Sequence, residues 1–139
     1  MSTSTRSGTP SASSTPNPSA KDDDFQPPEP CTATAALFLF AHKHIIYCLR
    51  HDTLQLERKL DKHKFDITLL SADNVSDQGA GRLAVSYDVG TTAIVWDLFR
   101  GVELGRFASY ESVRVATWLK DGRLAFGMLR SHSDLLYVY

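Results

Sequence analysis

The chain contains an internal repeat, which restricts its fold more than any other feature. The segment Gly81 to Val85 (GRLAV) recurs as Gly122 to Phe126 (GRLAF), an offset of 41 residues, and Leu54 to Arg58 resembles Val102 to Arg106 at an offset of 48. The two offsets agree once the loops are compared, because the loop at 71–81 is seven residues longer than its equivalent at 119–122. Tandem units of just over 40 residues are typical of solenoids and propellers.

Each unit contains short strand-forming runs separated by turn residues. We predict three strands in the first unit, four in the second and three in the third: 34–40, 44–49 and 53–60; 66–70, 82–87, 92–98 and 102–107; 112–119, 123–127 and 134–139. The runs Leu37 to Phe40 and Ala93 to Trp96 are apolar at consecutive positions, which indicates strands covered on both faces. No stretch has apolar residues recurring over several turns at the 3.6-residue period of a helix. The sequence therefore predicts an all-β meander whose sheets stack as propeller blades.

The first 30 residues differ from the rest in composition. All six prolines lie there, and Ser or Thr occupies eleven of the first 20 positions. Such a segment buries too little apolar surface to offset its ordering entropy. We expect a disordered tail at 1–30 and a folded domain at 31–139, with units at about 31–60, 61–108 and 109–139. Thr9 and Thr15 each precede a proline and are candidates for proline-directed phosphorylation.

The second unit resembles a repeat of the WD-repeat β-propeller family. Val95-Trp96-Asp97 ends its third strand like the Trp-Asp pair of that family, and 83–88 resembles the family's second strand. The resemblance implies antiparallel four-stranded blades, each tied together by a buried structural network. In this chain the Trp96 indole would donate to Ser86, Ser86 would contact His63, and His63 would contact Asp88. Each of these buried polar groups needs such a partner.

The other units depart from the family pattern. Tyr110, Gly127 and Tyr137 stand near the third unit's His, Ser and Trp positions, and the first unit has Tyr47 at its Trp-Asp position. Within the second unit, Lys62 replaces the usual Gly before His63. The turn at 88–91 is about two residues longer than usual, which could displace Asp88.

Nothing in the sequence indicates an enzyme. His63, Ser86 and Asp88 have the residue types of a hydrolase triad, but no Gly-x-Ser-x-Gly motif surrounds Ser86. His42, His44 and His51 cluster at a predicted turn, without the matching Cys, Asp or Glu pattern of a metal site. We therefore expect no catalytic residue, no cofactor and no metal.

Charge and cysteine content restrict the class of partner. The net charge of −1 gives no basic excess for nucleic acid, and no apolar run is long enough for a membrane span or a secretion signal. The only cysteines, Cys31 and Cys48, suit a reducing compartment, so we expect an intracellular protein, cytoplasmic or nuclear. One set of arginines at strand starts and turns forms either ordinary rim charge or a surface for an acidic peptide: Arg82, Arg100, Arg106 and Arg123.

The resemblance implies a non-catalytic scaffold that binds other proteins. The alternative is a substrate-selecting adaptor in a ubiquitin-ligase or similar enzyme complex. The predicted strands form about two and a half blades, whereas propellers close with four to eight. We therefore expect a truncated or partial product of a longer propeller protein, or a chain that completes its ring with copies of itself or with another chain.

Overall fold

The structure is a computed structural model that describes residues 29–109, 112–129 and 134–138 as strands and turns. These ranges contain no helix, and hence no helical membrane span. The strands in chain order are β1 (Cys31–Ala33), β2 (Leu37–His42), β3 (Ile45–Arg50), β4 (Leu56–Leu60), β5 (Ile67–Ala72), β6 (Leu83–Asp88), β7 (Thr92–Asp97), β8 (Val102–Ala108), β9 (Val113–Trp118), β10 (Leu124–Leu129) and β11 (Asp134–Val138). Apart from residues 29 and 30, the predicted tail lies outside the described residues, as does Tyr110.

The strands form three antiparallel sheets in which each strand pairs with its neighbours in the chain. The first sheet has the order β1-β2-β3-β4, the second β5-β6-β7-β8, and the third β9-β10-β11. This meander confirms the predicted all-β class. Because consecutive strands run in opposite directions, successive turns lie at opposite ends of each sheet.

The first sheet has four strands, so the prediction of three was wrong. The predicted run 34–40 begins with a turn at 34–36, in which the Thr34 hydroxyl accepts hydrogen bonds from the backbone N–H groups of Ala36 (3.2 Å) and Leu37 (3.0 Å), and the additional strand, β1, precedes this turn. A threonine side chain that imitates a backbone turn is hard to detect within an apolar run. The last strand of this sheet begins at Leu56, after Leu54 adopts a positive φ of 59°.

Residues along β6 and β7 point alternately into two hydrophobic cores. Ala84, Ile94 and Trp96 pack with the first sheet, whereas Val85 and the other residues of opposite phase pack with the third. A sheet covered on both faces needs apolar side chains at consecutive positions, which explains the run at 93–96. Each large side chain buried in this way contributes about 1.5–3 kcal/mol of transfer free energy.

The three sheets form an arc that does not close. On the side of the first sheet away from the second, Phe38, Phe40 and Tyr47 are half-buried, with Phe40 and Tyr47 stacked at 5.2 Å between ring centroids. No other described sheet covers them. The third sheet packs on the second through Phe126 and Trp118, and the Trp118 indole donates to the backbone oxygen of Ser71 (3.1 Å).

Candidate functional site: a buried polar network and an exposed turn

The structure brings together the four polar residues singled out in the sequence. His63 lies on the link between β4 and β5, Ser86 and Asp88 lie on β6, and Trp96 lies on β7. The Trp96 indole N–H donates to Ser86 Oγ at 2.8 Å, and Ser86 Oγ is 2.6 Å from His63 Nε2. His63 Nδ1 is 2.6 Å from Asp88 Oδ2. All four residues are buried, so the chain of hydrogen bonds ties the link to two strands of the second sheet.

The hydrogen-bond pattern assigns one tautomer to His63. Ser86 Oγ has a single hydrogen and already accepts from Trp96, so its hydroxyl donates to Nε2 and His63 Nδ1–H donates to the Asp88 carboxylate. A proton on Nε2 would leave the Ser86 hydroxyl without this acceptor. Burial lowers the pKa of His63 and outweighs the opposing effect of Asp88, which keeps the ring neutral.

The long turn after β6 leaves Asp88 in contact with the network. Asp88 Oδ1 accepts from the backbone N–H of Thr92 at 3.1 Å, while its other carboxylate oxygen faces His63. The extra length is accommodated at Thr91, which has a φ of 67°, and at Gly90, where a Cβ would lie 2.4 Å from a Phe65 ring carbon. Oδ1 of Asp88 thus anchors the turn, while Oδ2 belongs to the network.

We expect stability to fall as the pH drops below about 6.5, the ordinary pKa of histidine. His63 stays neutral in the folded protein while the unfolded chain takes up a proton, so each pH unit costs at most roughly 1.4 kcal/mol until the lowered pKa is reached. Urea titrations at pH 7.5, 6.5 and 5.5 measure this slope. His63→Gln should flatten it, whereas exposed His51→Gln should not; an unchanged slope in His63→Gln would contradict a buried neutral His63.

The histidines near the β2–β3 turn do not assemble a metal site within the described residues. His42 pairs with Glu29 at 2.5 Å, and His44 lies 3.8 Å from Asp61, with all four side chains substantially exposed. His51 lies at the opposite end of the first sheet, on the β3–β4 turn. Both cysteines have free thiols, and burial raises the pKa of Cys48 to about 11.

Asp97 organises the turn between β7 and β8, a role that the sequence reasoning missed. Its buried carboxylate accepts from the backbone N–H groups of Phe99 (3.0 Å) and Arg100 (3.2 Å) and from the guanidinium of Arg82 (3.1 Å). Burial by itself would raise the pKa of Asp97, but these donors together hold it below its ordinary range. An Asp followed by a Gly four residues later was the available signal for such a turn.

A second missed residue, Asp73, organises the long loop between β5 and β6. Its buried carboxylate accepts from the backbone N–H groups of Val75 (3.0 Å) and Ser76 (2.9 Å). The loop reaches both neighbouring sheets: the Asn74 amide donates to the backbone oxygen of Ala33 (2.8 Å), and a backbone hydrogen bond of 2.9 Å joins Asp77 to Lys120. The seven-residue insertion therefore connects three sheets.

Arg58 links the first sheet to the turn organised by Asp97. Its Nη2 donates to the backbone oxygen of Phe99 at 3.2 Å, and its Nε is the one buried side-chain polar atom among the described residues that has no partner. Gly101 has a φ of 68°, and a Cβ there would lie 1.9 Å from Arg58 Nη1. The turn therefore favours glycine at 101 because of its positive φ, and any larger residue would also displace the Arg58 guanidinium from Phe99.

We expect Gly101→Ala to lower the free energy of unfolding by about 2–3 kcal/mol, because it combines a strained positive φ with displacement of Arg58. Gly122→Ala is the matched control, since Gly122 also has a positive φ (91°) but open space around it, and should cost about 1 kcal/mol. Chemical denaturation of both variants measures the difference. Equal losses would show that Arg58 does not constrain the turn.

Comparison with known proteins identifies the fold of the described residues. No protein-family model and no curated protein sequence matches the chain. Among solved structures, the chain is similar to the β-propeller domain of Cps50 (Swd1) from Myceliophteria thermophila, with a TM-score of 0.60 and 20% sequence identity. The match covers 78% of this chain but only 37% of that one, so this chain spans about a third of its length. The described part of the chain therefore has the β-propeller fold, as an arc of antiparallel blades that does not close into a ring.

Proposed function

We propose that this protein is a non-catalytic scaffold that binds other proteins. The observation that carries the proposal is the distribution of exposed large apolar side chains. Six of the nine found among the described residues lie toward one end of the sheets, which we call the Phe99 end. Five are in or next to its turns and Leu104 lies two residues into β8: Leu54, Leu56, Val75, Phe99, Val102 and Leu104. Exposed apolar residues gathered on one surface are typical of protein-interaction sites.

The opposite end of the sheets, which holds the His63 link, differs in character. Phe65 and Val89 are its exposed large apolar residues, and Phe65 is packed against Gly90. His63, Ser86 and Asp88 at this end face inward and satisfy one another, as in a structural network and unlike the open geometry of a site that receives a substrate. This arrangement favours assigning His63, Ser86 and Asp88 to stability.

The proposal extends to partner class and compartment. The near-neutral chain favours protein partners over nucleic acid or a membrane surface, and the free thiols suit an intracellular location, cytoplasmic or nuclear. The arc itself needs further blades, from this or another chain, to cover its two open faces.

Site-specific photo-crosslinking tests the scaffold role. A photo-crosslinking amino acid at Val102, at the Phe99 end, should give discrete protein adducts in an extract of the source cells, and excess unlabelled chain should compete them away. The same amino acid at Val89, at the opposite end, is the control and should give far fewer adducts. Absence of any competable adduct at both positions would contradict the scaffold role, and ubiquitin-ligase subunits among the adducts would favour the adaptor alternative.

A further inference from the structure

The last strand of the second sheet, β8, has a free outer edge. The first strands of the sheets lie side by side, with β5 between β1 and β9, whereas β8 is at the far edge of its sheet and no described strand pairs with its outer side. β8 has seven residues, more than any other described strand, and five of them are exposed. The unpaired N–H and C=O groups of such an edge can form a ladder with another strand.

The space beside this edge is open. A cavity of about 530 Å³ runs along residues 101–105, with Lys62 as its other wall. Leu104 is 51% exposed, and a Cβ added at Gly105 would have no atom within 4 Å. A second strand therefore has room to approach this part of β8.

A bulge gives the edge a symmetrical arrangement of side chains. Leu104 is an extra residue between Glu103 and Gly105, which oppose consecutive residues of β7. The bulge puts Glu103 and Arg106 on the same face of the sheet, toward the first sheet, where they form an ion pair of 2.6 Å. Leu104 and Gly105 lie on the other face, toward the third sheet.

This arrangement is complementary to itself. When two copies of β8 are paired antiparallel about an axis between Leu104 and Gly105, Glu103 of each copy lies opposite Arg106 of the other, on the same face. Leu104 of each copy then lies opposite Gly105 of the other, where the missing side chain leaves space for it. Opposite charges directly across an antiparallel ladder stabilise the pairing.

The charges on β8 also select one register. Charged residues on an edge strand commonly protect it from pairing, because like charges meet. A ladder in which Glu103 faces its own copy opposes two carboxylates, and one in which Arg106 does so opposes two guanidinium groups. The corresponding strand of the first sheet, β4, is less suited to pairing, because Arg58 turns away to bind the backbone oxygen of Phe99.

From this geometry we infer that the protein forms a two-fold homodimer in which the β8 edges of two copies pair, so that two four-stranded sheets become one continuous antiparallel sheet. The contact covers about six residues of each strand and is small, so we expect a reversible dimer with a Kd on the order of 10 µM. It uses the edge of the second sheet and leaves the open faces of the arc free. The dimer is therefore independent of ring completion and of the scaffold role.

Sedimentation equilibrium of the full chain at about 1–200 µM tests the inference, a range that brackets the expected Kd. We expect a monomer–dimer equilibrium that weakens with added salt, since the charges at the contact are partly exposed. Glu103→Arg and Arg106→Glu should each raise the Kd by about tenfold or more, because each variant opposes like charges at two places in the dimer. Glu57→Arg, with the same change of charge on the edge of β4, is the matched control and should change the Kd less than about twofold.

A mixture of Glu103→Arg and Arg106→Glu chains tests the register itself. In a mixed dimer each introduced charge faces the opposite introduced charge, and the unchanged Arg106 of one chain faces the unchanged Glu103 of the other, so dimerisation should return. Should the charge variants lower the melting temperature, Leu104→Glu at an exposed position replaces them and should also weaken the dimer.

Three results would overturn the inference. The first is a chain that stays monomeric at the highest concentration. The second is association that Glu57→Arg weakens as much as Glu103→Arg does, or that Glu103→Arg leaves unchanged, which would indicate contact through the open faces of the arc. The third is a mixture of Glu103→Arg and Arg106→Glu that associates no better than either variant alone.

Discussion

Replacing Trp96 by alanine is expected to lower the free energy of unfolding by about 3–5 kcal/mol, the largest effect of any single substitution considered for this chain. The Trp96 ring is 1% exposed and packs in the core shared by the first and second sheets, so its removal leaves a cavity that the surrounding strands cannot fill. The substitution also removes the donor to Ser86 Oγ. Urea denaturation followed by far-UV circular dichroism measures the loss.

Two further variants separate the contributions of Trp96. Trp96→Phe keeps most of the ring volume but lacks the indole N–H, and should cost about 1–2 kcal/mol. Phe99→Ala removes an aromatic ring of mostly exposed surface and should stay within about 0.5 kcal/mol of the unmodified chain. If Trp96→Ala were as mild as Phe99→Ala, the packing of the first sheet on the second described above would be incorrect.

The second large effect is expected for Asp88→Ala, at about 2–4 kcal/mol. Its carboxylate accepts from the buried His63 Nδ1–H and from the half-buried backbone N–H of Thr92, and both lose their partner in the variant. A buried donor without a partner costs about 1–3 kcal/mol, far more than the net contribution of a typical exposed hydrogen bond. Denaturant midpoints measured at pH 7.5, where the His63 ring is neutral, isolate this cost from protonation.

A double-mutant cycle between His63→Ala and Asp88→Ala tests whether the two residues act together. Groups in direct hydrogen-bond contact should show a coupling energy of about 0.5–3 kcal/mol, so the double variant should lose less stability than the sum of the single ones. Exposed Asp66→Ala is the control for loss of a carboxylate nearby and should be close to neutral. Strict additivity of His63→Ala and Asp88→Ala would show that the network does not stabilise the fold as a unit.

Sequence reasoning located the polar network but not the turn between β7 and β8 that Asp97 organises and that exposes Phe99. His63, Ser86, Asp88 and Trp96 belong to one repeat and match a family pattern, so their association could be anticipated from that resemblance. The Asp97–Gly101 spacing did signal a turn, but the contact of Asp97 with Arg82, which lies just before β6, could not be anticipated from the sequence. Among the arginines at strand starts and turns, only the folded chain distinguishes Arg106, paired with Glu103 on its own strand, from Arg100 with its exposed donors.

Loop lengths in the sequence identified the repeat, but they did not reveal what the loops do. The insertion before Gly81 reconciled the two offsets and was expected only to be a connection. In the structure its Asp73 carboxylate holds a compact loop in which Asn74 and Asp77 contact the sheets on either side. These partners lie about 40 residues away in the chain, and no local propensity encodes contacts at that separation.

The sequence by itself determined the strand class, the antiparallel order and the need for cover on both faces of the second sheet, because each follows from short-range periodicity, turn residues and repeat spacing. Only the tertiary structure decided how the sheets meet. Arg58 contacts Phe99, 41 residues further along the chain, because the two sheets stack side by side. That stacking is driven by burial of apolar side chains, which has no direction of its own, so the polar contacts formed at its edge depend on the completed packing.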